Sequence, residues 1–476
     1  MSPLQSPTKP RRALKTIVAA AVLLGVGVLA YALVPTSTRV VDAPLPATGA
    51  PEYEALVKQG RAVAIAGDCV ACHTAPGGKP FAGGLPIASP IGTIYSTNIT
   101  PDAKTGIGSY SLNDFDRAVR HGIIPNGDTL YPAMPYPSYA KLTDEDTRAL
   151  YAYFMQGVPA VEQANATNGI AWPMSMRWPL AMWRKTFAPS SNTAPTGPEP
   201  ARYGGDISVA RGAYLVQGAG HCGSCHTPRA STLQEKALDD SSTLFLAGGQ
   251  VIDGWYAGNL RSNSGDGLGR WSTKDIVDML KTGRNAHAAV LGGPMSDVVL
   301  HSTQHMLDAD LNAIATYLKT LSPATVDVAR YVPNAETATK LQAGNEPSRG
   351  AQVYVDNCAA CHRTDGKGYE NAFPAIAGNP SVLANSATSL VHLVLAGAQL
   401  PSTEQRPSNL GMPGFADRLS DDEVAQLVTF MRQSWGNQAS GVTAAQVAAV
   451  RKNLAQHAVP ATPVASAAHK VDVATK

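Results

Sequence analysis

The longest apolar run in the chain, Thr16 to Val34, is nineteen residues without a charge. As a helix it is long enough to cross about 30 Å of hydrocarbon. Elsewhere apolar residues recur at helical spacing instead of in runs. Three amphipathic stretches stand out: LTDEDTRALYAYFMQG, LDADLNAIATYLKTL and LSDDEVAQLVTFMRQSW. Leu150, Tyr153 and Phe154 share a face of the first, and Leu427, Phe430 and Met431 share a face of the last. Thr143 with Asp146, and Ser420 with Glu423, have capping-box spacing, which sets where two of these helices start. Each amphipathic stretch is preceded by a second helix-like one: YEALVKQGRAVAIAGDCVACH, ISVARGAYLVQGAGHCGSCH and EPSRGAQVYVDNCAACH. In each of those a glycine (Gly60, Gly212, Gly350) stands eight to ten residues before a cysteine. The pattern predicts a mainly α-helical chain with one membrane-length helix and three repeats, each opened and closed by a helix. The glycine would let an aromatic of the closing helix pack closely on the opening one.

At 476 residues the chain fits roughly three domains of about 100–200 residues each. Charged residues are only 16%, while Gly (43) and Pro (35) are abundant, which points to loops between modest helices and not to a coiled coil. A formal charge of +2 gives no basic stripe for nucleic acid. Arg11, Arg12 and Lys15 precede the apolar run, so the positive-inside rule keeps the N-terminus in the cytoplasm and exports the rest. The run is longer than a usual signal core, which favours a retained anchor. Ala30-Tyr31-Ala32 resembles a cleavage site and keeps a signal peptide as the alternative. The expected divisions are a basic segment at 1–15, the anchor at 16–34 and a Pro-rich linker at 35–50. A first unit at 51–165 is followed by a Trp/Pro-rich strap and linker at 166–200, then a second unit at 201–325. A linker at 326–345, a third unit at 346–437 and an Ala-rich tail at 438–476 complete the chain, the tail with one short helix at Thr443–His457.

The chemistry lies in the cysteines. There are six, in three pairs: Cys69 and Cys72, Cys222 and Cys225, Cys358 and Cys361. Each pair is followed at once by a histidine: His73, His226 and His362. A disulfide framework would scatter the cysteines, and a zinc site would join two pairs without requiring that histidine. C-x-x-C-H is the attachment site of c-type haem. Two thiols add to the vinyl groups of one haem, and the adjacent histidine reaches the iron. Three complete sites with no cysteine left over predict three covalent haems on three tandem class I cytochrome c domains. The sixth iron ligand is expected from a Met on a Pro-containing loop before each closing helix. Met134 (TLYPAMPYPSYAKL) and Met412 (NLGMPGF) fit. In the second unit Met295 (GGPMSDVV) matches, with His301, His305 and Met306 as rivals.

His121, His287 and His392 are expected to cap helices or touch haem edges. His221 precedes Cys222 too closely to turn to the same iron, and His457 and His469 lie in the tail. No Ser-His-Asp order, phosphate loop or free thiol suggests a catalytic residue of the chain's own. The strap AWPMSMRWPLAMWRKTF (Ala171–Phe187) concentrates Trp, Met and basic residues. It reads either as an inter-domain strap or as a contact for membrane or quinone through Arg177, Trp178 and Arg184. Pro173 and Pro179 argue against an amphipathic helix running across them.

The runs PIGTIYSTNITPDAKTGIGSYSLNDFDRAVRHG, LYPAMPYPSYAKLTDED, WPMSMRWPLAMWR, FAGG, GLGRWS and FMRQSWGN resemble the triheme cytochrome c subunits of membrane-bound alcohol and aldehyde dehydrogenases of acetic acid bacteria. The resemblance covers about residues 50–440. It implies an inner-membrane protein with its haem domains on the periplasmic side. It also implies a large dehydrogenase partner carrying pyrroloquinoline quinone or molybdenum, a possible small subunit, and ubiquinone as electron acceptor. It supports Met134, Met295 and Met412 as axial ligands. The cleaved leader and longer aromatic tail of the alcohol dehydrogenase cytochrome contrast with the expected anchor and Ala-rich tail here, which brings in the cytochrome of the molybdenum-dependent aldehyde dehydrogenase. Two other readings stand beside this one: the same role for a flavin-dependent gluconate, sorbitol or fructose dehydrogenase, or a stand-alone carrier to a terminal oxidase.

Overall fold

The computed structural model describes residues 10–41, 44–190, 192, 197–324 and 330–457. Pro10–Leu33 is one continuous helix of 24 residues, about 36 Å at 1.5 Å per residue. Its leucines, among them Leu23, Leu24 and Leu33, are exposed. Among the described residues it is the one helix long and apolar enough to cross a membrane.

The rest is built on a helix crossing that occurs three times. Pro51–Ala66 crosses Asp144–Ala152, Ile207–Gln217 crosses Asp308–Thr320, and Arg349–Asn357 crosses Asp421–Gln433. Each crossing is closed by the expected glycine. A Cβ on Gly60 would lie 1.8 Å from Ala149 O and 2.8 Å from Tyr153 Cβ. On Gly212 it would lie 2.0 Å from Ala313 O and 2.7 Å from Tyr317 Cβ, and on Gly350 2.2 Å from Gln426 O and 2.9 Å from Phe430 Cβ. No side chain fits in that space, so the backbones meet directly with an aromatic folded over the contact. The closing helices start where the caps predict: Thr143 accepts from Asp146 N, and Ser420 forms a full capping box with Glu423.

The first two units share further detail. Each carries a second capped helix, Leu112–His121 after Ser111 and Thr273–Thr282 after Ser272. Both helices end in a left-handed glycine, Gly122 and Gly283, whose φ above zero turns the chain toward the methionine segment. Strands are short and peripheral. Pro86–Ser89, Gly92–Tyr95 and Gly169–Ile170 form one antiparallel sheet, with Pro86 opposite Tyr95 and Gly92 opposite Ile170.

The cores divide unevenly. One hydrophobic core runs through both of the first two units, from Phe115, Leu142 and Phe154 to Leu246, Leu311 and Tyr317. The third unit has its own, around Tyr354, Leu395, Leu427 and Trp435. The C-terminal helix Ala444–His457 lies against that core with Val447 fully buried. Arg451 bonds Asp421 at 2.8 Å and the carbonyls of Ala416 and Leu419. His469 lies outside the described residues.

The strap departs from expectation: Trp178–Phe187 is a helix. Pro179 sits in its first turn, where no backbone N–H is needed, so the proline that argued against a helix starts one. This helix packs against the end of Pro10–Leu33. Lys185 Nζ donates to the carbonyls of Tyr31 and Val34, and Arg184 donates to Thr36 Oγ1. Trp183 Nε1 reaches the second unit at Thr232 O, 2.7 Å away.

Candidate haem sites

Each C-x-x-C-H motif runs through a single helical turn after an opening helix, Cys69–Cys72, Gly223–His226 and Ala359–His362, with Cys222 and Cys358 at the N-caps of the last two. Helical spacing puts residues three apart on one face, so the two thiols of a pair can reach one ring. None of the six is paired in a disulfide. Burial pushes the Cys69, Cys222 and Cys358 thiols up to about 12, which removes the thiolate that a nucleophilic or redox cysteine needs. Among the described residues no three His, Cys, Asp or Glu side chains converge on a metal-ion site.

The three histidines are held alike. His73 Nδ1 is 2.6 Å from Thr97 O, His226 Nδ1 is 2.7 Å from Gly258 O, and His362 Nδ1 is 2.9 Å from Pro374 O. A backbone carbonyl only accepts, so each Nδ1 carries the proton and each Nε2 keeps its lone pair free to bind iron. Burial lowers all three below the ordinary imidazole range, which keeps them neutral. A further clamp recurs: Gly83 N, Gly248 N and Gly368 N donate to the carbonyls of His73, His226 and His362. Thiols, ring orientation and neutral nitrogen all fit a covalently bound haem.

Met134 and Met412 are partly buried and pack against the cores of their own units. Met412 lies on a short strand opposite Ala398. Met295 begins the helix Gly293–His301, where a loop was expected. Its register is informative: Met134 follows the cap glycine Gly122 by twelve residues, and Met295 follows Gly283 by twelve. That equivalence was readable in the sequence once DFDRAVRHG and DIVDMLKTG are aligned on their glycines. Of the rivals, Met306 is buried in the shared core, while His301 and His305 are exposed.

His287 and His392 have packing roles. His287 stacks on Trp271 with rings 13° from parallel, and His392 lies over Trp255 with centroids 4.3 Å apart. His221 Nε2 is 3.3 Å from Gly67 O, two residues before Cys69, so it joins the first site to the second. In the strap, Arg177 lies over the Tyr131 ring at 4.5 Å and donates to Thr129 O. Trp178 is half-buried and Arg184 is buried.

Paired thiols, carbonyl-anchored histidines and the glycine crossing together define a c-type cytochrome. The cytochrome c family profile matches residues 57–157 and 347–435. The chain is 54% identical over 404 residues (84% of this chain, 90% of the relative) to the gluconate 2-dehydrogenase cytochrome c subunit of Pantoea cypripedii. It is 52% identical over 393 residues (82% and 81%) to the cytochrome c subunit of the quinone alcohol dehydrogenase of Gluconobacter oxydans. The fructose dehydrogenase cytochrome subunit of Gluconobacter japonicus is 36% identical over 450 residues (90% and 89%). The chain belongs to the family of cytochrome c subunits of dehydrogenases, and its role is electron transfer.

Proposed function

We propose that the chain binds three c-type haems and carries electrons from a dehydrogenase subunit to ubiquinone in the membrane. The observation that carries this reading is the threefold recurrence of the anchored histidine, each behind its own thiol pair. Once bound, haem supplies reversible one-electron iron chemistry. Cys69, Cys72, Cys222, Cys225, Cys358 and Cys361 would hold the three rings. His73, His226 and His362 would take one side of each iron, and Met134, Met295 and Met412 the other. For the second unit, the twelve-residue register supports Met295. Reduction of ubiquinone to the quinol consumes two electrons and two protons, so a one-electron carrier must act twice per quinone.

The helix Pro10–Leu33 would anchor the chain in the inner membrane, with its haem units in the periplasm. The partner is a dehydrogenase acting on a hydroxyl-bearing substrate, because alcohol and gluconate dehydrogenase subunits are almost equally similar to this chain. The test is to purify the chain with its partner from membranes. Intact mass should exceed the polypeptide by three haems that acid–acetone does not extract. The cofactor of the co-purified subunit (pyrroloquinoline quinone, flavin or molybdenum) then fixes the substrate class. A count of two haems, or a chain that purifies alone, would overturn the corresponding part.

A further inference from the structure

Two backbone turns, one from each of the first two units, meet at a single carbonyl. In both units the residue just before the first attachment cysteine is left-handed: Asp68 (φ 48°) before Cys69 and His221 (φ 35°) before Cys222. That conformation is uncommon for a residue with a Cβ. It serves the same purpose twice, because the carbonyl of Asp68 accepts from Ala71 N at 3.2 Å and that of His221 from Ser224 N at 2.8 Å. Both bonds fall inside a C-x-x-C. The third unit is built otherwise, since Asn357, before Cys358, ends the helix Arg349–Asn357.

The His221 ring reaches out of its own unit. Its Nε2 is 3.3 Å from Gly67 O in the first unit. Gly67 caps the helix Pro51–Ala66, so its carbonyl is one that the helix leaves without an internal partner. Tyr139 Oη donates to the same oxygen at 2.9 Å, from the short helix Tyr136–Tyr139 that follows Met134. The Tyr139 and His221 rings meet edge-on, with centroids 5.5 Å apart and planes at 79°. One carbonyl, with two lone pairs, thus takes a donor from each unit. Because a carbonyl only accepts, His221 Nε2 carries the proton, and burial keeps the ring neutral. A Cβ on Gly67 would lie 3.3 Å from Cys69 Sγ and 3.5 Å from Tyr139 Oη, so the bridge stands beside the first attachment cysteine. The helix Gly293–His301, which carries Met295, packs on the turn Cys69–Cys72 next to it.

We propose that His221 and Tyr139 are positioning residues for electron exchange between the first and second haem sites, because by closing on Gly67 O they fix the two attachment turns against each other. The inference rests on the reading that each C-x-x-C-H binds a haem. Both side chains act through the turns that would carry the rings. Exchange of one electron between two such sites consumes no proton and no co-reactant, so what the protein must supply is a fixed separation and orientation. The core shared by the two units brings them together, but apolar burial is non-directional. Two hydrogen bonds on one oxygen are directional and set the register of the turns.

The experiment uses the complex purified from membranes with its dehydrogenase, mixed rapidly with the dehydrogenase substrate and followed at the haem bands. The wild type should reduce all its haems in one phase. His221→Gly accepts the left-handed backbone and deletes the ring, which separates the side chain from the turn. It should divide the reduction into two phases, the first haem on one side and the other two on the other, with rates about fivefold or more apart. Tyr139→Phe keeps the ring, deletes the hydroxyl and should divide the reduction in the same way. His221→Gln places a donor at the same reach and should restore most of the single phase. Haem count by mass, resting spectrum and midpoint potentials should stay those of the wild type in all three. Hydrogen–deuterium exchange in residues 67–73 and 221–226 should rise in His221→Gly and fall back in His221→Gln. A single phase in His221→Gly and Tyr139→Phe with every haem present would overturn the positioning role. So would a His221→Gln that divides as fully as His221→Gly. Loss of haem or shifted potentials would assign these residues to haem attachment and overturn the role as well. A wild-type complex with fewer than three haems would overturn the haem reading itself, which the mass reports before any variant is made.

Discussion

The second unit is where single residues decide between readings. Met295, Met306, His301 and His305 lie within twelve positions, and composition favours none of them. Burial and register separate them. Met306 belongs to the core shared by two units, the two histidines are exposed, and Met295 repeats the offset of Met134 from its cap glycine. Loss of a thioether ligand lowers the potential of a Met/His haem. Met295→Leu should therefore shift one of three redox transitions downward or turn one haem high-spin. Met306→Leu should cost stability, about 1 kcal/mol, while leaving the haem spectrum intact. Spectroelectrochemical titration of both variants checks this, and the reverse pattern would reassign the ligand. The cysteines and their histidines were plain in the sequence because their chemistry is local. The carbonyls of Thr97, Gly258 and Pro374 were not, because a backbone acceptor 12 to 32 residues away leaves no residue-type signal.

Among the elements, the closing helix of the third unit shows how a cap serves two purposes. Glu423 completes the capping box of Asp421–Gln433 and also bonds Arg349 at the start of the opening helix, 2.7 Å away. The Arg349 hydrogen bond, then those from Ser420, hold its carboxyl at about 2, against an ordinary value of 4.5. Because the folded state favours the ionised form, the contribution of Glu423 is complete above pH 4.5 and is lost as pH falls toward 2. Acid unfolding of Glu423→Gln should lack that increment and vary less steeply with pH over the window, as a series of thermal melts would show. Equal slopes in both proteins would remove the pair from the stability of the unit. Caps of this kind were legible, since they depend on two residues three apart. The strap helix was misread because two prolines in a Trp-rich segment look like a break, although a proline in a first turn is compatible with a helix.

Over the whole molecule the repeat suggests three equal units, but the packing makes two bodies. The first pair is fused by a common core and by polar contacts across it: Thr143 N to Tyr214 Oη at 3.0 Å, and Lys141 Nζ to Gln217 at 2.9 Å. Calorimetry should resolve two cooperative transitions, with the first two units melting together and the third separately. Three transitions would mean that the shared core does not couple them. The spacing of the cysteine pairs along the chain could not reveal this asymmetry, because it depends on which apolar faces remain after each unit has closed on itself.

An electron that passes along all three sites must cross two junctions of different kinds. Between the first and second, His221 touches the carbonyl of Gly67, and Cys72 and Cys225 are close enough to influence each other's ionisation. The contact is therefore made by the attachment turns themselves. Between the second and third, Gly292 N donates to Gln399 O at 3.2 Å, which joins the turn before Met295 to the strand beside Met412. Next to it His392 lies over Trp255 and is held by Gly254 O at 3.2 Å, and Ser389 Oγ accepts from Tyr256 N at 2.6 Å. A Cβ on Gly293 would be 2.7 Å from the Trp255 ring, so Trp255 also supports the Met295 turn and replacing it would disturb the ligand. His392 is the cleaner choice, because it belongs to the third unit and meets the second at Trp255 and Gly254 O. In rapid-mixing experiments with the dehydrogenase substrate, the wild-type complex should reduce all its haems in one kinetic phase. In His392→Leu combined with Ser389→Ala, the amplitude of a single haem should separate into a slower phase while the resting spectrum stays unchanged. A single phase in that variant would show that exchange between the second and third sites does not depend on this contact.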